Sequence, residues 1–241
     1  MWTIYQKEIN SFLNSLIAYV VIGVFLTGIG LLTWVFESNV LDYGYASLET
    51  LFTLGPYVFM FLIPAITMKA FAEEKKTGTI ELLFTQPFTD WQVIMGKYLA
   101  SFTLVLLAII PTLVYYYSVY QLGNPVGNLD TPGIIGSYIG LLLLGGVFAA
   151  VGIFSSSITN NQIVSFILAV FLSYLLYGGL ESIAAVDIWG RFSLFIQQLG
   201  ILFHYNSLSK GLLDSRDIIY FLSVIASTLL LTNLILNSRK W

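Results

Sequence analysis

Ala72-Glu73-Glu74-Lys75-Lys76-Thr77-Gly78-Thr79-Ile80-Glu81-Leu82-Leu83 sets four consecutive charges between two uncharged runs, residues 51–68 and 98–120. Each run is close to the ~20 residues that a helix needs to cross a bilayer core. The charged stretch therefore reads as a connection at a membrane surface, and the runs beside it as spans.

The rest of the chain agrees. Its 241 residues are 57% hydrophobic and 10% charged, with mean hydropathy +0.85. A soluble domain carries about 25% charged residues, so this chain cannot clothe a water-facing surface and must be solvated largely by lipid. Further uncharged runs occupy residues 16–36, 134–154, 163–180 and 218–236. The expected fold is all-α and integral to the membrane: one domain, 1–241, with six transmembrane helices. The first run is long and lacks an Ala-x-Ala site, so it reads as a retained span rather than a cleaved signal. Pro56 and Pro64 interrupt the second run. Neighbouring helices can satisfy the carbonyls that proline frees, so Pro64 predicts a kink and not an end.

Trp2, Tyr5, Ile9, Phe12, Leu13 and Leu16 recur at helical spacing, which predicts an amphipathic interfacial helix over 1–15. The plainer alternative is a polar lead-in to the first span. Tyr115, Tyr116, Tyr117 and Tyr120 close the third span and read as an interfacial aromatic belt, with substrate contact as the other possibility. The fourth run carries Gly136, Gly140, Gly145, Gly146 and Gly152, which permit close helix approach. Residues 181–217 hold apolar segments at 183–189 and 192–203, too short to cross and read as interfacial or re-entrant helices.

Orientation follows from Lys and Arg. Lys7, Lys69, Lys75, Lys76, Lys97, Arg239 and Lys240 fall on one side. Only Arg191, Lys210 and Arg216 fall on the other, where Glu37, Asp42, Glu49, Asp130, Glu181, Asp187, Asp214 and Asp217 collect. The positive-inside rule puts both termini and residues 69–97 in the cytoplasm.

Several functions lose their footing. No span has an ionisable residue in its central part, which argues against an ion-coupled carrier. There is no Gly-x-x-x-x-Gly-Lys-Ser/Thr phosphate loop and no Gly-x-Ser-x-Gly or His-Glu-x-x-His pattern. There is no cysteine and one histidine, so thiolate and multi-histidine metal centres are out of reach. A net charge of −3 offers nothing to nucleic acid.

The charged segment carries more than a topology signal. Thr77-Gly78-Thr79 should break the helix leaving the second span. Ile80, Leu83 and Phe84 should form an apolar face on a short helix stopped by Pro87. Thr89-Asp90-Trp91-Gln92 reads as a capping box opening the next helix. A charged elbow followed by a partly apolar helix is what a soluble partner can grip. A solvated loop that only fixes topology is the plainer alternative.

Glu-Glu-Lys-Lys-Thr-Gly-Thr-Ile-Glu-Leu-Leu with Pro87 and Gly96-Lys97 resembles the cytoplasmic signature of ABC-2-type transporter permeases. Lys7-Glu8 with Phe12-Leu13, Asn161-Gln162, and His204-Tyr205 with Lys210 to Asp214 and Ile219-Tyr220-Phe221 resemble further motifs of that family, in the same order. Within it the chain is most similar to the F-type permease subunit of the gliding-motility transporter.

The resemblance implies a multi-pass permease of the bacterial inner membrane that binds an ABC ATP-binding subunit. ATP and Mg²⁺ would be held in that partner and no cofactor in this chain, which is then not itself an enzyme. The implied coupling residues are Glu73, Glu74, Lys76, Thr77, Gly78, Thr79, Glu81, Leu82, Leu83 and Pro87. Ser157, Asn160, Asn161 and Gln162 are implied as a second cytoplasmic contact. A second permease chain with a large extracellular domain would complete a heterodimer. A membrane anchor or scaffold that transports nothing fits the uncharged spans as the alternative.

Overall fold

The structure, a computed structural model, describes residues 1–36, 39–42, 44–186, 190, 192–211 and 213–238, with all side chains among them except those of Leu83 and Phe84. Glu37, Asp187, Arg191, Arg239 and Lys240, used above for orientation, lie outside the described residues, as do Leu212 and part of the 183–189 segment.

The regular structure of the described residues is all helical, without strands. A first helix, α1 (Trp2–Leu13), is separated from α2 (Leu16–Trp34) by Ser15, whose hydroxyl accepts the Ile17 N–H at 3.2 Å as an N-cap. It is therefore a helix separate from the first span. Then come α3 (Glu49–Thr67), two short helices α4 (Ala72–Lys76) and α5 (Thr79–Phe84), and α6 (Asp90–Ile109). A 3₁₀ turn at Pro111 joins α6 to α7 (Leu113–Leu122). The second half holds α8 (Thr131–Ile158) and α9 (Gln162–Tyr174), which passes through a π turn, Leu175–Gly179, into α10 (Leu180–Ala184). It ends with α11 (Ser193–Gln198), α12 (Ile201–Ser209) and α13 (Ser215–Asn237).

Six of these units are long and apolar enough to cross a membrane: Leu16–Trp34, Glu49–Lys76, Asp90–Leu122, Thr131–Ile158, Gln162–Ala184 and Ser215–Asn237. The fold is that of a multi-pass membrane protein. Short connections place Lys7, Lys69, Lys75, Lys76 and Lys97 at one end of the bundle, the basic end. Glu49, Asp130, Asp214 and Asp217 mark the other, acidic end.

Helix α8 is the centre. Of an apolar 18-residue stretch within it 72% is buried, against 22% for such a stretch of α13, and it packs on α3, α6, α9, α12 and α13. Its glycines make that possible. A Cβ at Gly152 would overlap the Thr67 side chain of α3, and one at Gly136 would overlap the Leu208 carbonyl of α12. With no hydrophobic effect between spans in lipid, such close van der Waals approach drives association.

Both prolines of α3 lie inside a continuous helix. Pro56 has no N–H, so the Phe52 carbonyl loses its usual partner four residues on. The buried Tyr205 hydroxyl of α12 donates to that carbonyl at 2.7 Å. At the acidic end α12 is also tied to α13: His204 Nδ1 lies 2.6 Å from Asp217 Oδ1, and the His204 ring stacks on Tyr220 at 3.9 Å. Residues 192–203 thus split between an exposed α11, with no buried residue, and the start of a docked α12.

Candidate coupling site at the basic end

The segment between α3 and α6 folds as a charged elbow, a short helix and a capped helix. Gly78, at φ +74°, takes the left-handed conformation that separates α4 from α5. Helix α5 stops two residues before Gln86-Pro87. The capping box is present in both directions: Thr89 Oγ1 accepts the Gln92 N–H, and Gln92 Oε1 accepts the Thr89 N–H, each at 3.3 Å.

Two sets of contacts fix the elbow to the bundle. The first is ionic. Lys97, on the first part of α6, is 2% exposed. Its ammonium donates to Glu74 Oε1 at 2.8 Å and to Glu8 Oε1 at 2.9 Å. It also lies 5.2 Å from the Phe71 ring centre. Lys7 approaches the same Glu74 oxygen at 3.9 Å. Three helices, α1, α4 and α6, therefore meet on one buried cation. Burial of an ammonium is tolerated only with partners of this kind. Beside it, α1 lays Ile4 against Gly96, where a Cβ would meet Ile4 Cγ2 at 2.9 Å. The apolar face expected on α1 is thus only part of its packing: Ile4 is its buried residue, and Trp2 is exposed.

The second set is a serine cap. Ser156, fully buried near the end of α8, accepts the N–H groups of Phe71 and Ala72 at 2.8 and 2.9 Å. Its hydroxyl donates to the Met68 carbonyl at 3.1 Å. A short helix such as α4 leaves its first N–H groups unpaired, and here a residue from another helix supplies the cap. Lys75 adds a bond to the Ser157 carbonyl. Helix α4 consequently packs on both α8 and α9.

The residues expected to meet a partner divide in two. Glu73, Lys76, Thr77, Gly78, Thr79, Glu81, Leu82 and Pro87 are exposed, Leu82 at 66%. Glu74 is turned inward onto Lys97. Leu83 lies among the residues whose side chains are not described. In the second turn Asn160 and Asn161 are exposed and Gln162 is half-buried. Asn161 caps α9 by accepting the Ile163 N–H at 2.9 Å. Ser157 is buried, its hydroxyl donating to the Phe154 carbonyl at 2.7 Å. The bridge between the two loops is the elbow, through Ser156, which the sequence reading did not single out. A groove of about 470 Å³ runs between α1 and α5, with Ile4, Leu82 and Phe88 on its walls.

The family model for ABC-2 family transporter proteins matches residues 2–237, nearly the whole chain. The chain belongs to the ABC-2 transporter family. A search of the curated proteins finds no match. ABC-2 permeases are membrane subunits that normally work with an ABC ATP-binding subunit.

Proposed function

We propose that this chain is the transmembrane subunit of an ATP-driven exporter, of the gliding-motility F type, and that its basic end seats the ATP-binding subunit. The carrying observation is the Ser156 cap. A load applied to exposed α5 and α4 passes through the Phe71 and Ala72 amides directly into α8, the most buried helix of the bundle. Lys97 passes the same load to α1 and α6. Movement of the partner's surface would reach the spans by two stiff routes. ATP and Mg²⁺ belong to the partner, and this chain contributes no catalytic group.

The docking face comprises Lys76, Thr77, Thr79, Glu81 and Leu82, with Asn160, Asn161 and Gln162 beside it. Glu73 belongs to the exposed set, and Glu74 supports it from beneath. On this orientation the basic end is cytoplasmic, both termini lie there, and the chain resides in a bacterial inner membrane. The resemblance to the gliding-motility subunit supports a second, different permease chain as partner.

The test is co-purification. Leu82→Asp and Glu81→Lys alter exposed side chains only, so the chain should keep its thermal stability while losing the ATP-binding subunit and its stimulated ATPase activity. Unchanged association and stimulation in both variants would sink the docking assignment. Reconstituted vesicles with and without ATP distinguish a transporter from an anchor, since an anchor shows no ATP-dependent movement of any cargo.

A further inference from the structure

A second cavity lies at the basic end, beside the Lys97 cluster. It encloses about 290 Å³ between α1, the first turn of α2 and the end of α3. Its charged lining is Lys7, Glu8, Lys69, Glu73, Glu74 and Lys97: three cations and three anions, hence no net charge. Phe12, Ile17 and Ile66 form apolar walls. Leu13 and Leu16, close by in the chain, are strongly exposed, Leu16 at 78%.

The pairing inside the cavity is incomplete. Lys97 engages one oxygen each of Glu8 and Glu74. Three groups are left over. The half-buried Lys69 ammonium and the Glu73 carboxylate have no ion-pair or hydrogen-bond partner among the described residues. Glu74 Oε2 is buried with no partner among them. A buried acceptor left unmade costs the full desolvation of that group. The cavity therefore lacks an acceptor opposite Lys69 and an N–H donor opposite the buried oxygen of Glu74, with the exposed Glu73 carboxylate beside them in the lining.

We propose that this cavity binds the headgroup of a phospholipid that carries both a phosphodiester and a primary ammonium, as phosphatidylethanolamine does. The phosphate meets Lys69, which donates charge-assisted hydrogen bonds. The ammonium meets Glu73 and the free oxygen of Glu74. The neutral lining favours a zwitterion over an anionic lipid. The apolar walls and the exposed Leu13 and Leu16 give the acyl chains a path along α2. A lipid seated there would wedge α1 against α3 beside the Glu74–Lys97 contact. This holds whether or not an ATP-binding subunit docks on α5.

The full chain, purified in detergent, is mixed with phosphatidylethanolamine, phosphatidylcholine or phosphatidylglycerol, and retained lipid is counted by native mass spectrometry. Phosphatidylethanolamine should be retained in preference to both others. Phosphatidylcholine has the same charges but no N–H on its ammonium, so it cannot satisfy Glu74 Oε2. Lys69→Gln should lower retention of phosphatidylethanolamine roughly ten-fold, the loss of one charge-assisted contact. Glu73→Gln should instead shift preference toward phosphatidylglycerol, an outcome that mere loss of structure does not produce. Equal retention of phosphatidylcholine or phosphatidylglycerol by the parent chain overturns the proposal. So do variants that leave the preference unchanged. Glycerophosphoethanolamine competing at the same concentration as the lipid would point to a soluble phosphodiester and overturn the lipid assignment.

Discussion

The Lys97 ammonium and the Glu74 carboxylate meet at 2.8 Å beneath the elbow, and Lys97 is shielded from solvent there. Because Glu8 shares the same ammonium, removing it leaves two largely buried carboxylates facing each other, with only the exposed Lys7, 3.9 Å from Glu74, as a remaining cation. Lys97→Met should cost about 3–5 kcal/mol, the range for stripping one partner from a buried ionic cluster. Combining it with Glu8→Gln and Glu74→Gln should recover most of that loss, since no buried charge is then uncompensated. Thermal unfolding of the purified chain reads both. Unfolding of Lys97→Met at the parent temperature would show the cluster to be idle.

Ser156 serves two amides and one carbonyl with a single hydroxyl. Ser156→Ala strands the Phe71 and Ala72 N–H groups in a buried place, with a cost of about 1–3 kcal/mol. The sharper consequence is functional. If the elbow reports to α8 through this cap, the variant should still bind the ATP-binding subunit, because α5 is untouched, yet lose stimulation of its ATPase by the permease. Ser156→Thr keeps the hydroxyl and should keep stimulation. Loss of binding together with stimulation would instead assign Ser156 to the docking face.

The parts of this design that were legible are those made by neighbours in sequence. Six apolar runs set the spans. Gly78 marked the break between elbow and short helix, and Thr89 with Gln92 announced a cap whose partners are three residues apart. The contacts that hold the site together join distant residues. Lys97 is 89 residues from Glu8, and Ser156 is 85 from Phe71. A lysine preceding an apolar run looks like a topology signal whether it points to water or into a cluster. Glu74 likewise looks no different from Glu73 in sequence, yet one faces inward and the other is exposed. Charge patterning shows which residues collect at an end of the bundle, and only packing shows which of them are spent on one another.

Gly152 marks the tightest approach of α8 to α3. Gly152→Ala would drive a methyl into the Thr67 side chain, whose Cβ would lie 2.8 Å away. The two helices must then part, at about 1–3 kcal/mol. Thr67→Ala removes the hydroxyl and methyl but not the Cβ, so the double variant should recover part of the loss. Unfolding temperatures of the two single variants and the pair measure this. Simple additivity would mean that the two sites do not touch.

The partnership of Pro56 and Tyr205 yields the most specific expectation, because the reason for the contact lies in the backbone. Pro56 deprives the Phe52 carbonyl of its helical donor, and Tyr205, 153 residues further along, supplies one at 2.7 Å. Tyr205 is largely desolvated, and burial, with the Tyr177 ring beside it, pushes its phenol pKa up. The hydroxyl therefore stays protonated and able to donate across the accessible pH range. Tyr205→Phe should cost about 1–3 kcal/mol, leaving a buried carbonyl unpaired. In a Pro56→Ala background the alanine N–H can bond to Phe52, and the cost of Tyr205→Phe should fall by about 1 kcal/mol, a coupling typical of residues in one network. A double-mutant cycle on unfolding free energies gives that coupling directly. A value of zero would mean that Tyr205 holds α12 to the bundle by its ring alone, and that the freed carbonyl finds its donor elsewhere.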